Sequence, residues 1–297
     1  MSSASDRPET LHALTVDVED WYHRFGFSPQ TRERLPKRLD VGLGRLLDTL
    51  SEFNVRATFF VLGDVAVGHP DLVRRIADGG HEIGTHGGSH EPLWDTTRER
   101  FAVSLRGSIR RIEDTVGQKV IGHRAPFFSL DGGTAWALDS LFEAGIVYDS
   151  SVYPTVHPRY GVVGHPSVPH RLRAPSGGGL FEFPLAVVPA FGLRVPVAGG
   201  AYLRIWPLSV TLWGARRLAK LGRSSAFYVH PWELDPDQPR VQLRDWRRFT
   251  YYHRLDRTEG KLRTLLARFR FSPIREVYSN VLSGSTNVPL FDLKPSR

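Results

Sequence analysis

The sequence predicts an α/β protein built on a parallel sheet, open or closed into a barrel. Short β-prone runs alternate with helix-length segments, and several of those runs are near-continuously apolar, as in strands buried on both faces. The size fits: 297 residues, 41% hydrophobic and 24% charged, can bury one large core or two small ones.

"LHALTVDVED" (11–20) reads as a strand delivering acids to its tip. "VGLGRLLDTLSEFNV" (41–55) carries apolar residues at helical spacing, and "RATFFVLG" (56–63) is the next strand. "HPDLVRRIADGG" (69–80) is a helix stopped by glycines and "HEIGTH" (81–86) a strand. "TTRERFAVSLRGSIRRIEDTVG" (96–117) is a long helix ending at Gly117, and "VIGHRAP" (120–126) a strand stopped by proline. "GTAWALDSLFEAG" (133–145) and "IVYDSS" (146–151) continue the alternation. From Tyr153 to Gly179 the chain is rich in Pro, Gly and His and reads as a long loop. Regularity returns with "LFEFPLAVV" (180–188), a helix "PLSVTLWGARRLAKLG" (207–222), a strand "SAFYVH" (225–230) and a helix "TEGKLRTLLARF" (258–269) followed by "REVYS" (275–279). The tail after Ser283 reads as irregular. With no internal repeat, 1–297 is expected to be a single domain.

Composition narrows the function. No apolar run reaches the eighteen or so residues of a membrane span. "MSSASDRPET" places an acid and a proline where a secretion leader would need a basic start and an apolar stretch, so the expected location is cytoplasmic, with the inner membrane surface as a variant. The absence of cysteine excludes disulfides and thiolate ligands, so any metal must use imidazole and carboxylate. The net charge of +8 and pI near 10.0 suit a phosphate-bearing or acidic substrate or an anionic membrane surface. Lys and Arg are spread along the chain with no RNA-binding signature or zinc-finger spacing, which argues against nucleic acid.

Four short stretches carry chemistry, each following an expected strand, where sites of such folds lie. In "HEIGTHGGSH", His86 and His90 are four apart, a spacing that lets two imidazoles bind one ion; alone, it is equally the pattern of capping or surface histidines, and His81 belongs to the preceding turn. In "TVDVEDWYH", Asp17 and Glu19 share a face of the strand, while Asp20 faces away or opens the loop, where it could serve as a cap. Two imidazoles and one carboxylate leave open positions on an ion for water and substrate, and a second carboxylate, Asp17, is the candidate base. Arg124 in "GHRAPFFS" can pair with a buried carboxylate. His230 in "FYVHPWELDP" suits a general acid that protonates a leaving amine.

Taken in order, "TVDVED", "RATFFVLG", "GHEIGTHGGSH", "HRAPFFS" and "YVHPWE" resemble the motifs of the polysaccharide deacetylase family, carbohydrate esterase family 4, the chitooligosaccharide deacetylase group. "YDSSVYPTVHPRYG", "AGGAYLRIWP", "HPWELDPDQPR" and "KLRTLLARFRFSPIREV" resemble the subgroup encoded in bacterial exopolysaccharide loci beside exosortase genes. The resemblance implies a distorted (β/α) barrel, with the motifs within 11–233 and a C-terminal extension over about 234–297 packed on it. It also implies a hydrolase that removes acetyl groups from sugars with a bound metal. It makes Asp17 the base, His86 and His90 metal ligands, Arg124 the residue orienting the base and His230 the acid. Most relatives have adjacent acids after the first strand, whereas Val18 follows Asp17 here, so the third ligand is Glu19, with Asp20 as the alternative.

The function expected is N-deacetylation of an amino-sugar glycan or its lipid-linked precursor in exopolysaccharide synthesis. Zinc is the first ion for such a set, with cobalt, nickel and manganese fitting the same ligands. Trp94, Phe127, Tyr153 and Trp232 are the candidate sugar-stacking walls. Two rivals stand beside it: a metal-independent hydrolase of a ureide or formamide C–N bond, and a glycan-binding module without turnover.

Overall fold

The computed structural model describes residues 10–157, 159–190 and 192–294; residues 1–9, read above as lacking a secretion leader, lie outside them. The strands in chain order are β1 (Leu11–Val18), β2 (Thr58–Val61), β3 (Glu82–Thr85), β4 (Gly122–His123), β5 (Tyr148–Asp149), β6 (His170–Arg173), β7 (Gly179–Glu182), β8 (Val187–Ala190), β9 (Leu193–Pro196), β10 (Ala226–Val229), β11 (Arg270–Ser272) and β12 (Leu290–Phe291).

A ten-stranded sheet runs in the order β10-β1-β2-β3-β4-β5-β7-β6-β12, with β11 paired to β1. From β10 through β7 every neighbouring pair is parallel. Just past β7 the chain reaches β10: Leu185 bridges Ala226, and the Ala186 amide donates to the Ala226 carbonyl at 2.9 Å. The ring therefore closes into a distorted barrel, with no free edge between β7 and β10. β2 (TFFV) and β10 (AFYV) are the near-continuous apolar strands, and Val16, Phe59, Phe60 and Val61 are fully buried, as a sheet covered on both faces requires.

Helices cover the ring. Leu39–Glu52 turns Leu39, Leu43, Leu46, Leu47 and Leu50 inward, the stripe that its spacing dictates. Arg98–Val116 begins at Thr97, whose hydroxyl accepts the Arg100 amide at 3.3 Å, and ends at Gly117 in the left-handed region (φ 67°). Among the described residues no helix is long and apolar enough to cross a membrane.

The structure corrects the sequence reading where patterning is weak. The stretch 153–179 is not all loop, since it holds the whole of β6, whose residues alternate buried and exposed and pair antiparallel to β7. The regular run 180–188 is broken into β7 and β8 around Pro184, which has no amide to donate. The tail after Ser283 includes β12, two residues parallel to β6. In the C-terminal region β11 runs parallel to β1, so this part joins the barrel's own sheet.

Candidate active site

The strand ends of β1, β3, β4 and β10 open on one cleft of about 360 Å³ whose lining includes Asp17, Glu19, His86, His90 and His230. Asp17 lies within β1 and Glu19 just past it, His86 follows β3, Arg124 follows β4 and His230 follows β10. This is the carboxyl-end placement that parallel strands impose on a site.

Arg124 is buried beneath the cleft. Its Nη1 donates to Asp17 Oδ1 at 2.8 Å and to the Thr15 hydroxyl at 2.7 Å. Its Nε donates to the Ser150 carbonyl (2.7 Å) and Nη2 to the Ser150 hydroxyl (2.8 Å). Ser151 takes the neighbouring Ala125 amide through its hydroxyl (2.7 Å), and Asp149 accepts from the Ser151 amide (2.7 Å). The "DSS" of residues 149–151 is thus the cradle of the arginine, a role the sequence reading did not assign. Such complete pairing is what makes a buried ion pair tolerable.

Glu19 meets the histidines. Its Oε1 lies 3.1 Å from His86 Nε2 and 2.8 Å from His90 Nε2. The loop between the histidines depends on glycine: Gly87 has φ 81°, and a Cβ on Gly88 would stand 2.3 Å from the Ser104 hydroxyl. His90 itself takes φ 64°. Burial alone would push the Glu19 carboxyl up, but His90 and His230 overcome it and hold the group well below its ordinary value.

The donor set fits a divalent cation. Ligand atoms of Glu19, His86 and His90 lie within 4.8 Å of one another. His86 Nδ1 sits 2.8 Å from the Arg124 carbonyl, which can only accept, so in the neutral ring Nε2 carries the lone pair and faces the Glu19 oxygen. Two acceptors at that distance require a proton or a cation between them. Nδ1 of the buried His90 has no hydrogen-bond partner, and Nε2 meets only the Glu19 oxygen at 2.8 Å, as expected of an imidazole kept for a metal. Asp17, Glu19 and His230 also cluster within this range, but Asp17 is committed to Arg124 and His230 to Glu233.

His230 Nδ1 lies 3.1 Å from Glu233 Oε2, and Nε2 lies 3.9 Å from both Asp17 Oδ2 and Glu19 Oε1. Burial opposes its protonation, yet Glu19, Glu233 and Asp17 together raise its pKa above the ordinary histidine value. Burial would raise Glu233, but Arg204 at 2.7 Å and His230 bring it to about 2. Arg204 Nη1 in turn donates to the Thr250 carbonyl at 2.9 Å, fastening the helix Asp245–Tyr252 at the cleft.

The expected residues separate as follows. Glu19 faces the imidazoles, whereas the buried Asp20 carboxylate accepts the Trp21 amide (2.8 Å) and the Arg38 amide (3.0 Å). His81 points away, its Nδ1 accepting the Ala57 amide. Phe127 lies with its ring centroid 4.5 Å from that of His90, and Trp232 stacks on His230 at 4.9 Å. Trp94 lines an adjoining groove of about 1040 Å³, joined to the cleft through Arg24, His90, Phe127 and Arg159. Tyr153 is a correction: at 1% exposure it is packed among Phe128, Tyr160 and Tyr228 in the core, and Tyr160 reaches the cleft instead. Arg24, Arg204, Glu233 and Arg247 were missed. Only "HPWE", with its acid three residues after His230, offered a signal.

Residues 40–142 match the family described as polysaccharide deacetylase, and residues 150–279 match a family described as a domain of unknown function (DUF3473). Within residues 40–142 the chain is therefore similar to the polysaccharide deacetylases. His86, His90 and Arg124 fall in the first match, His230 in the second, and Asp17 and Glu19 in neither, so the cleft draws on both matches and on the segment before them. A peptidoglycan deacetylase of Helicobacter pylori is 31% identical over 150 residues, 48% of this chain and 50% of that protein. A chitooligosaccharide deacetylase of Rhizobium leguminosarum bv. trifolii is 38% identical over 80 residues, 27% of this chain and 37% of that one. The chain thus spans half or less of these two curated relatives. Among solved structures, a Mycobacterium smegmatis protein assigned to the polysaccharide deacetylases superposes with TM-score 0.65 at 23% identity, covering 100% of this chain and 96% of the other. Puue allantoinase superposes with TM-score 0.60 at 13% identity, covering 95% and 92%. Both likenesses concern the fold.

Proposed function

We propose that this chain is a metal-dependent hydrolase that removes N-acetyl groups from an amino-sugar glycan or its lipid-linked precursor in exopolysaccharide synthesis. The observation that carries the reading is the convergence of Glu19, His86 and His90 beside an arginine-held Asp17 and a glutamate-held His230. The two curated relatives, a peptidoglycan and a chitooligosaccharide deacetylase, support the same bond and substrate class. The reading treats 1–297 as one catalytic unit, supported by β11 and β12 joining the barrel's sheet.

Glu19, His86 and His90 would hold the ion, zinc first, with cobalt, nickel or manganese fitting the same donors; bound there, it would supply Lewis-acid polarisation of the acetyl carbonyl. Arg124 fixes Asp17 through Oδ1 and leaves Oδ2, 3.9 Å from His230 Nε2, to take the proton of the attacking water. The water oxygen bonds to the acetyl carbon. His230, held at Nδ1 by Glu233, then gives its Nε2 proton to the sugar nitrogen as the C–N bond breaks, releasing acetate and the free amine. Phe127 and Trp232 flank the reacting groups as apolar walls.

Acetate release from N-acetylglucosamine oligomers by the native chain and by Asp17→Asn tests the assignment. The variant should keep its fold by circular dichroism and lose turnover by roughly 10²–10⁴-fold; acetate release at the native rate would contradict it.

A further inference from the structure

The reaction above uses Asp17, Glu19, the two histidines, Arg124 and His230, and leaves the positive charge around them unexplained. The cleft is lined by two carboxylates, Asp17 and Glu19, both already engaged. It is also lined by Arg24, Arg159, Arg204 and Arg247. Arg204 is paired with Glu233. Among the described residues, the other three have no carboxylate partner.

Arg24 is the most telling, being only 6% exposed. Its Nη2 reaches the neutral Gln238 oxygen at 2.7 Å, Nη1 reaches the Tyr251 carbonyl at 3.4 Å, and Nε has no partner. The guanidinium lies 3.9 Å from the Trp232 ring centroid. Burial and the neighbouring Arg204 push its pKa down to about 9, more than Glu233, which Arg204 already pairs, offsets. Arg159 comes from a different element, the stretch after Tyr153, and lies 5.6 Å from the Phe127 ring centroid. Arg247 comes from a third, the helix Asp245–Tyr252 that Arg204 and Arg24 hold through its carbonyls. Three separate elements thus bring unpaired guanidinium groups to one cleft, and a guanidinium fork matches phosphate and carboxylate alike.

We propose that Arg24, Arg159 and Arg247 form an anion subsite beside the hydrolytic centre, so that the preferred substrate carries a phosphate or carboxylate group next to its acetamido sugar. Which sugar lies beside the subsite rests on the deacetylase reading; the binding of the anion does not.

Calorimetric titration of Asp17→Asn, chosen so that binding is read without turnover, would use N-acetylglucosamine, N-acetylglucosamine 1-phosphate and N-acetylmuramic acid at one ionic strength. At least one anionic sugar should bind about tenfold or more tightly than the neutral one, the size expected of a charge-assisted contact. The tighter of the two identifies phosphate or carboxylate as the source. Arg159→Gln with Arg247→Gln, both exposed side chains, should reduce the anionic sugars to the neutral affinity. Equal affinities, including none measurable, or a preference that survives the Arg159→Gln/Arg247→Gln double substitution, would overturn the subsite. Acetate release by the native chain separates the two claims. Turnover of neutral oligomers without anionic preference would remove the subsite alone, and anionic preference without acetate from any sugar would remove the deacetylase reading alone.

Discussion

Asp17 and Arg124 on the floor of the cleft lie at the ends of β1 and β4 and bond into the ring itself, whereas Arg159 and Arg247 on its rim sit in a loop and a short helix outside it. On the floor each charge has a partner within hydrogen-bond distance. On the rim the arginines have none among the described residues. The division follows the chemistry: proton transfer needs groups held to fractions of an ångström, while recognition of a charged substrate needs cations left free for it. Arg159 and Arg247 both fall in the match beyond residue 150, which also holds His230.

The comparison breaks most sharply at Arg124. Arg124→Ala leaves Asp17 buried and unpaired, and should cost about 3–5 kcal/mol of stability as well as turnover; urea unfolding measures the first. A loss under 1 kcal/mol would mean that the floor is not held as described. Tyr153→Ala should cost a similar amount, about 3–5 kcal/mol, because the ring fills the core; a variant of native stability with a raised KM would return Tyr153 to the cleft wall.

Metal content sharpens the picture next. Glu19→Gln should lower the bound-zinc stoichiometry measured by atomic emission, and Asp20→Asn should leave it unchanged, since Asp20 is spent on backbone amides. The reverse result would reassign the ligand. A smaller effect is expected at Glu233, whose carboxylate favours protonated His230. An acid must hold its proton, so the rate falls as pH rises through the His230 pKa. Removing the anion lowers that pKa, and in Glu233→Gln the alkaline limb of kcat/KM should move to lower pH; an unmoved limb would detach Glu233 from the acid. Smallest of all, Arg159→Gln should change stability by no more than about 0.5 kcal/mol, as an exposed rim residue.

Much of the floor was legible because its residues follow strand ends in short motifs. Asp17 and Glu19 share a strand face, and the glycines of "THGGSH" announce a tight turn. The rim was not. Arg24 meets Gln238 across 214 positions, and Arg204 meets the carbonyl of Thr250 through a helix that carries no motif, so only the closed barrel defines either contact. Tyr153 failed for the same reason: a tyrosine in a Pro- and Gly-rich stretch gives no local sign of the rings that will enclose it. β6 and β12 were missed because one mixes charge into an alternating pattern and the other is two residues long.

The most direct test of the account is acetate release from N-acetylglucosamine oligomers and from a lipid-linked precursor extract after chelation, then after zinc or cobalt is restored. Glu19, His86 and His90 predict release that the chelator abolishes and either metal returns. Release untouched by the chelator, in a chain shown to be free of metal, would contradict it and turn the cleft over to a metal-independent C–N hydrolase.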